Sequence, residues 1–249
     1  MPAPDNRVGS SDPPPSGFLV VDKPEGISSM GVVAAVRRRL TRFGRVRCGH
    51  GGTLDPLATG ILVVGVGSAT RALEAVVGAD KGYRTAVDLS AFTTTDDREG
   101  PRREVEVATA PTREAIDDAL ASLTGEVVQV PPAFSAIKLG GRRAYRLARR
   151  GEVPQMPPRH VRIDRLAVRE YAWPLVEIEV ECGKGTYIRS IARDLGSRLG
   201  TGGHCAWLRR TRVGPFDEAM ARGLEELPDA LGFDDLMPIE EASRLLASR

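Results

Sequence analysis

The chain has 249 residues, 41% of them hydrophobic and 27% charged, with a formal net charge of +2, which is ordinary for a globular protein with a core to bury. No run approaches the ~18 apolar residues of a membrane span, and "MPAPDNRVGSSDPPPSG" lacks the apolar core of a signal peptide, so neither a membrane partner nor secretion is expected. Three cysteines, Cys48, Cys182 and Cys205, are too few and too scattered for a disulfide framework and point to a reducing, cytoplasmic setting.

In chain order, Met1 to Ser16, rich in Pro, Ser and Asp, predicts a disordered leader. "GFLVVDKPEG" predicts a short strand ended by Pro24 and Gly26. Ser28 and Ser29 offer an N-cap for a helix with Val32, Val33, Val36 and Leu40 on one face and arginines on the other. After the loop "GHGGTLDPLAT", the run "ILVVGVG" reads as a buried strand. "YRTAVDLS" alternates like a half-exposed strand, and Thr112 to Thr124 predicts a helix with Ile116, Ala119, Leu120 and Leu123 inward and Gly125 as its C-cap. "VEIEVEC" is a strand with Val176, Ile178, Val180 and Cys182 on one side and three glutamates on the other. "GTYIRSIARDLGSRLG" predicts a helix with Ile188, Ile191, Ala192, Leu195 and Leu199 on its apolar stripe, Thr186 as a candidate N-cap and Gly200 as the stop. Strands and helices intermix without a βαβ repeat, so the expected fold is α+β on a mixed, largely antiparallel sheet.

Charge is segregated. Arg37, Arg38, Arg39, Arg42, Arg45 and Arg47 form one basic run, Arg142, Arg143, Arg146, Arg149 and Arg150 a second, and Arg209, Arg210 and Arg212 a third. Acids gather at Asp96, Asp97, Glu99, Glu104 and Glu106 and between Asp217 and Glu241. A nucleic-acid binder shows this pattern when an acidic edge hides its basic face from the sum, and a solvated arginine surface shows it equally.

Asp55 stands on the glycine-rich loop before Pro56, which holds its backbone extended. Gly49, Gly51 and Gly52 permit a close approach or a sharp turn just before it. Alone, an Asp-Pro pair reads first as a turn with loop hydrogen bonds. Arg189 falls in or just before the first turn of its helix, where a cation opposes the helix dipole, and a nearby anion would explain it. An exposed arginine reaching water explains it as well, and the spacing does not pair it with Asp55.

The segments "DKPEGISS", "GHGGTLDPLATGIL", "KGYRTAVDLSAFTTTDDREG", "VPPAFSAIKLGGRRAYRLARRG", "GKGTYIRSIARDLGSRLG" and "LRRTRVGPF" resemble, in this order, the successive motifs of the bacterial tRNA pseudouridine-55 synthase family. The resemblance runs from about Gly17 to Phe216. It implies the pseudouridine synthase type of sheet with flanking helices, and conversion of the T-loop uridine of tRNA to pseudouridine by base flipping. It implies Asp55 as the catalytic aspartate, Tyr83 as the active-site tyrosine stacking on the target base, and Arg189 as the partner of the aspartate. Tyr187 and Leu208 match residues lining the uracil pocket, Lys23 a lysine supporting it, and His50 a histidine against the flipped nucleotide. Gly51 stands where that pattern often has a bulkier residue, which should loosen the loop.

The implied organisation is the leader 1–16, a catalytic domain 17–216 and a short acidic segment 217–249, without the RNA-binding PUA domain many family members carry. The implied partner is the tRNA T-arm, bound by a monomer without an obligatory protein partner, metal or other cofactor. "GVGSAT" lacks the third glycine and the βαβ context of a dinucleotide loop. Cys48 with His50 and His204 with Cys205 lack the spacing of zinc ligands. A guide-dependent rRNA-type synthase and an RNA-folding chaperone without catalysis are the alternatives.

Overall fold

The computed structural model describes residues 13–135, 137–148, 150–152 and 154–248. Up to Asp12 the expected leader, like Arg149 of the second basic run, lies outside these residues. Ser16 accepts a hydrogen bond from the Ser68 amide at 3.0 Å.

Strand β1 (Gly17–Lys23) is buried along nearly its whole length. Helix α1 (Ser29–Arg38) follows, capped by Ser28, whose hydroxyl accepts from the Gly31 amide at 3.0 Å, a contact that contributes about 1 kcal/mol. Val32, Val33 and Val36 recur at helical spacing and are fully buried, as is Leu40 just beyond the helix. Then come β2 (Cys48–His50), β3 (Thr59–Val66), α2 (Leu73–Gly78), β4 (Lys81–Asp88), α3 (Arg113–Ala121), β5 (Gly125–Gln129), β6 (Arg159–Ala172), β7 (Leu175–Cys182), α4 (Ile188–Leu199), β8 (His204–Val213), β9 (Arg222–Gly223) and α5 (Ile239–Ala247). Among the described residues no helix is long and apolar enough to cross a membrane.

Three expectations are corrected. β4 is not half-exposed: of its residues only Arg84 is exposed. Its polar side chains find protein partners instead, Thr85 donating to the Trp207 carbonyl at 2.6 Å and Asp88 accepting from Ser90 and Arg102. α3 is capped by Thr112 but ends at Ser122; Leu123 and Thr124 close short turns onto Leu120 and Ala121, and Gly125, at φ 97°, opens β5 instead of capping the helix. At α4 the N-cap position belongs to Tyr187, because the Thr186 hydroxyl is engaged by the Gly183 carbonyl at 3.1 Å. Its stop is as expected, with Gly200 left-handed at φ 68°.

The described residues form two compact units, one within Met1–Ala79 and Arg210–Arg249, the other within Asp80–Arg209. In the first, β1 runs antiparallel to β3 from Gly17 opposite Val66 to Lys23 opposite Gly60. β9 lies parallel on the other edge of β1, and β2 pairs with β3. One core joins the α1 face to Leu19, Val21, Leu62 and Val64, and includes Leu227, Leu231 and Leu236. A second joins Phe18, Val20, Ile61 and Val63 to Phe216 and Ala242, so the acidic segment packs into this unit.

In the second unit β4, β7, β6 and β5 pair in that order, all antiparallel. α3 and α4 lie against each other, α3 also against β6 and α4 against β4. The alternation of "VEIEVEC" holds: Val176, Ile178, Val180 and Cys182 are buried. This is the mixed, largely antiparallel α+β architecture that the sequence predicts.

Candidate active site

Asp55 sits half-buried on an irregular segment of the first unit. The Ala58 amide donates to its carbonyl at 3.1 Å, the turn expected of Asp-Pro. Most of the backbone around it is held by buried side chains. The Ser29 hydroxyl donates to the Leu54 carbonyl at 2.9 Å and accepts from the Leu54 amide at 2.8 Å. Lys23, fully buried, donates to the carbonyls of Pro24, Ile27 and Pro56 at 2.9, 2.8 and 3.2 Å. Arg210 donates to the carbonyls of Ile61, Thr53 and Gly52 at 2.7, 3.4 and 3.2 Å. A hydrogen bond from a charged donor contributes about 1.5–3 kcal/mol, and its loss strands a buried carbonyl. Carbonyls on both sides of Asp55 are thus fixed, so the residue sits on a held backbone frame.

The "GHGG" glycines serve both purposes foreseen for them. Gly52 takes φ 117°, and Gly51 lies where a Cβ would come 2.4 Å from Val76 Cγ1. The expected loosening at Gly51 does not occur, because Val76 occupies the space a larger residue would need and the Gly51 amide donates to Val63 at 2.8 Å.

His50 ends β2, and its Nδ1 is buried without a hydrogen-bond partner among the described residues. Burial and, secondarily, the Arg210 charge hold its pKa below the ordinary value, so the imidazole is neutral at physiological pH. Burial likewise lowers Lys23 from 10.5 to about 8, Asp55 and Glu25 working in the opposite sense.

Tyr83, Tyr187, Arg189 and Leu208 lie in the second unit. Tyr83 on β4 and Leu208 on β8 are buried. Tyr187 is half-buried; the Gln129 amide brackets its backbone N–H at 2.8 Å and carbonyl at 3.1 Å, and the Arg159 guanidinium lies 4.8 Å from its ring centroid.

Arg189, second residue of α4, is only 4% exposed, which overturns its reading as an exposed arginine. Its Nη1 donates to the Thr95 carbonyl at 2.8 Å and to Asp97 Oδ2 at 3.1 Å, and Nη2 to the Phe134 carbonyl at 3.0 Å. Asp97 thus supplies an anion of the kind the helix-dipole argument asks for. Its other oxygen accepts from the Thr95 hydroxyl at 2.5 Å and the Glu99 amide at 3.0 Å. Next to it Asp96, at φ 60°, accepts from Arg193 at 2.7 Å, so the "TTTDD" turn is tied twice to α4.

Sequence reasoning missed Ser29, Asp97, Gln129 and Arg210 as members of this framework. Asp97 carried a signal, being part of the acidic cluster. Arg210 carried a misleading one, since it reads as surface charge and is 1% exposed. Of the two Cys and His pairs the second is otherwise engaged: His204 Nδ1 is 2.8 Å from the Ala91 carbonyl, and Cys205 Sγ 3.2 Å from Thr85 Oγ1. An open groove of about 560 Å³ in the second unit, lined by Val128, Val130, Ile191 and Arg198 among others, contains none of the predicted site residues.

Residues 38–188 match the family model of the TruB family pseudouridylate synthase (N terminal domain), and residues 189–245 that of the tRNA pseudouridylate synthase B C-terminal domain. The chain is 49% identical over 217 residues to a protein of Mycobacterium sp. (strain KMS) named tRNA pseudouridine synthase B, covering 86% of this chain and 72% of that one. A protein of the same name from Mycobacterium tuberculosis is 46% identical over 237 residues, covering 94% and 78%. A chain in the crystal structure of a Cbf5-Nop10-Gar1 complex is similar in fold, with a TM-score of 0.70 and 29% identity over 92% of this chain and 62% of that one.

Proposed function

The chain belongs to the TruB family of pseudouridylate synthases and converts a uridine of tRNA to pseudouridine, and from this premise we propose that its target is the T-loop uridine at position 55 of tRNA. Asp55 is the residue on which the reaction depends. The bond from ribose C1′ to N1 breaks, the uracil turns in the pocket, C1′ bonds to C5, and the C5 proton is lost as N1 gains one. An ionised carboxylate acts on the ribose or on the base in this sequence. The observation that carries the reading is the frame around Asp55: Ser29, Lys23 and Arg210 hold the backbone on either side of this half-buried residue.

Arg189, held within the second unit by Asp97, is the arginine that the family pattern pairs with the catalytic aspartate. Tyr83 stacks on the uracil, and Tyr187 and Leu208 line its pocket. Neutral His50 faces the flipped nucleotide and positions it, and Lys23 supports the pocket from beneath the Asp55 segment. Flipping costs a few kcal/mol, which stacking and the basic surface offset. Within this proposal residues 17–216 form the catalytic domain and 217–249 an acidic segment packed on it. The protein works in the cytoplasm as a monomer, with no protein partner, metal or other cofactor.

The test is incubation of the purified protein with an unmodified tRNA transcript, followed by mapping of pseudouridine at single-nucleotide resolution. Pseudouridine at position 55, lost when that uridine is replaced by cytidine, supports the proposal. Modification elsewhere, or only after adding a second RNA, contradicts it and favours the guide-dependent reading.

A further inference from the structure

Between Gly52 and Pro56 the chain has neither helix nor strand, so the place of Asp55 depends on what grips this segment. Arg210 links it to a rigid element. On β8 its backbone lies so close to Gly60 that a Cβ there would come 2.2 Å from the Arg210 carbonyl oxygen, which fixes the root of the side chain against β3. From that root, Nε reaches the Ile61 carbonyl on β3, while Nη1 and Nη2 reach the carbonyls of Thr53 and Gly52, two and three residues before Asp55. The guanidinium is planar, so these three carbonyls are held as one rigid set.

No carboxylate forms a salt bridge with Arg210 among the described residues, although the side chain is almost completely buried. Burying a charge is costly unless it is hydrogen-bonded, and all three bonds that hold this one run to the backbone leading to Asp55 or to strand β3. Its charge is felt across the site, where it lowers the proton affinity of both His50 and Lys23.

Taking Asp55 as the reacting carboxylate, as proposed above, we propose that Arg210 is the positioning residue for Asp55, setting its place by tying the Gly52 and Thr53 carbonyls to strand β3 at Ile61. Arg210 touches no reacting atom; it acts through the loop. A displacement of roughly 1 Å in a reacting group costs about 10²-fold in rate. Loss of Arg210 therefore slows the chemical step and leaves RNA affinity alone.

The experiment compares Arg210→Met, Arg210→Lys and Asp55→Asn with wild type in single-turnover rate at saturating enzyme, RNA dissociation constant and thermal melting. Arg210→Met is expected to lose about 10²-fold in rate with its dissociation constant within about threefold of wild type. Arg210→Lys is expected between the two, because an ammonium keeps the charge but cannot span three carbonyls. Wild-type rate in Arg210→Met, or a loss of RNA affinity as large as the loss of rate, overturns the proposal. If Arg210→Met does not fold, Arg210→Lys decides alone: a rate reduced about tenfold or more at normal melting supports the proposal, and an unchanged rate overturns it. Full activity in Asp55→Asn refutes the underlying reading of the site and this proposal with it, an outcome told apart because it does not depend on the Arg210 variants.

Discussion

Lys23 makes a signed prediction about stability and pH. Its ammonium is fully buried and donates to three carbonyls, yet burial brings its pKa from 10.5 down to about 8 in the folded chain. At about 1.4 kcal/mol per pH unit, that drop corresponds to about 3 kcal/mol of destabilisation while the amine stays charged in both states. Below pH 8 folded and unfolded forms both hold the proton, and the full cost is present. Between pH 8 and 10.5 the unfolded chain still binds a proton that the folded chain has released, so stability rises with pH. Lys23→Met has no such proton and provides the reference. Urea unfolding of both proteins from pH 7 to 10 isolates the contribution, because groups such as Cys182, which burial raises to about 11, cancel in the difference. Wild type is expected to gain about 2–3 kcal/mol on the variant over this range, a shift of roughly 1 M in urea midpoint. A difference that stays flat, or falls, would refute the assignment of a desolvated, charged Lys23 beneath the Asp55 segment.

Other consequences are as direct. Asp97→Asn is expected to destabilise the protein by about 3–5 kcal/mol, since it breaks a buried pair. Whichever way the amide turns, its nitrogen faces either Arg189 or the Thr95 and Glu99 donors, and an unchanged urea midpoint would contradict this. Gly60→Ala should cost at least about 2 kcal/mol, because φ is 99° and the new Cβ meets the Arg210 carbonyl; wild-type melting would show that the strand contact is looser than described. RNA affinity should fall linearly with salt on a log–log scale, by about 0.7–0.9 per phosphate contacted, as expected if exposed arginines such as Arg37, Arg38, Arg45 and Arg47 meet the backbone. A flat salt response would remove them from the RNA surface.

The elements legible in the sequence are those whose period reports burial on one side. The alternation of β7 and the apolar stripe of α4, stopped by Gly200, are both found where expected. β4 misled because alternation marks polarity, not exposure: Thr85 and Asp88 are polar and satisfied within the protein. Ser28 and Ser29 looked equivalent as caps, yet Ser28 caps α1 and Ser29 turns inward to Leu54, a contact made across 25 residues of sequence. For the site, the identity of Asp55, Tyr83 and Arg189 came from the motif series. The need for an anion near Arg189 came from helix electrostatics, whereas the anion described, Asp97, is 92 residues away. Arg210 was illegible for a further reason, because its partners are main-chain carbonyls, which every residue carries and no sequence pattern marks.

The central claim is that the Asp55 carboxylate carries the reaction on a tRNA uridine. Its most direct test is single-turnover formation of pseudouridine in an unmodified tRNA by wild type and by Asp55→Asn, an isosteric change that removes the charge. The tRNA dissociation constant of each protein is measured alongside. Complete conversion by wild type, with no detectable pseudouridine from Asp55→Asn at equal RNA affinity, is the expected result. Conversion by Asp55→Asn at a rate within about tenfold of wild type, a barrier difference under about 1.4 kcal/mol, would contradict the account.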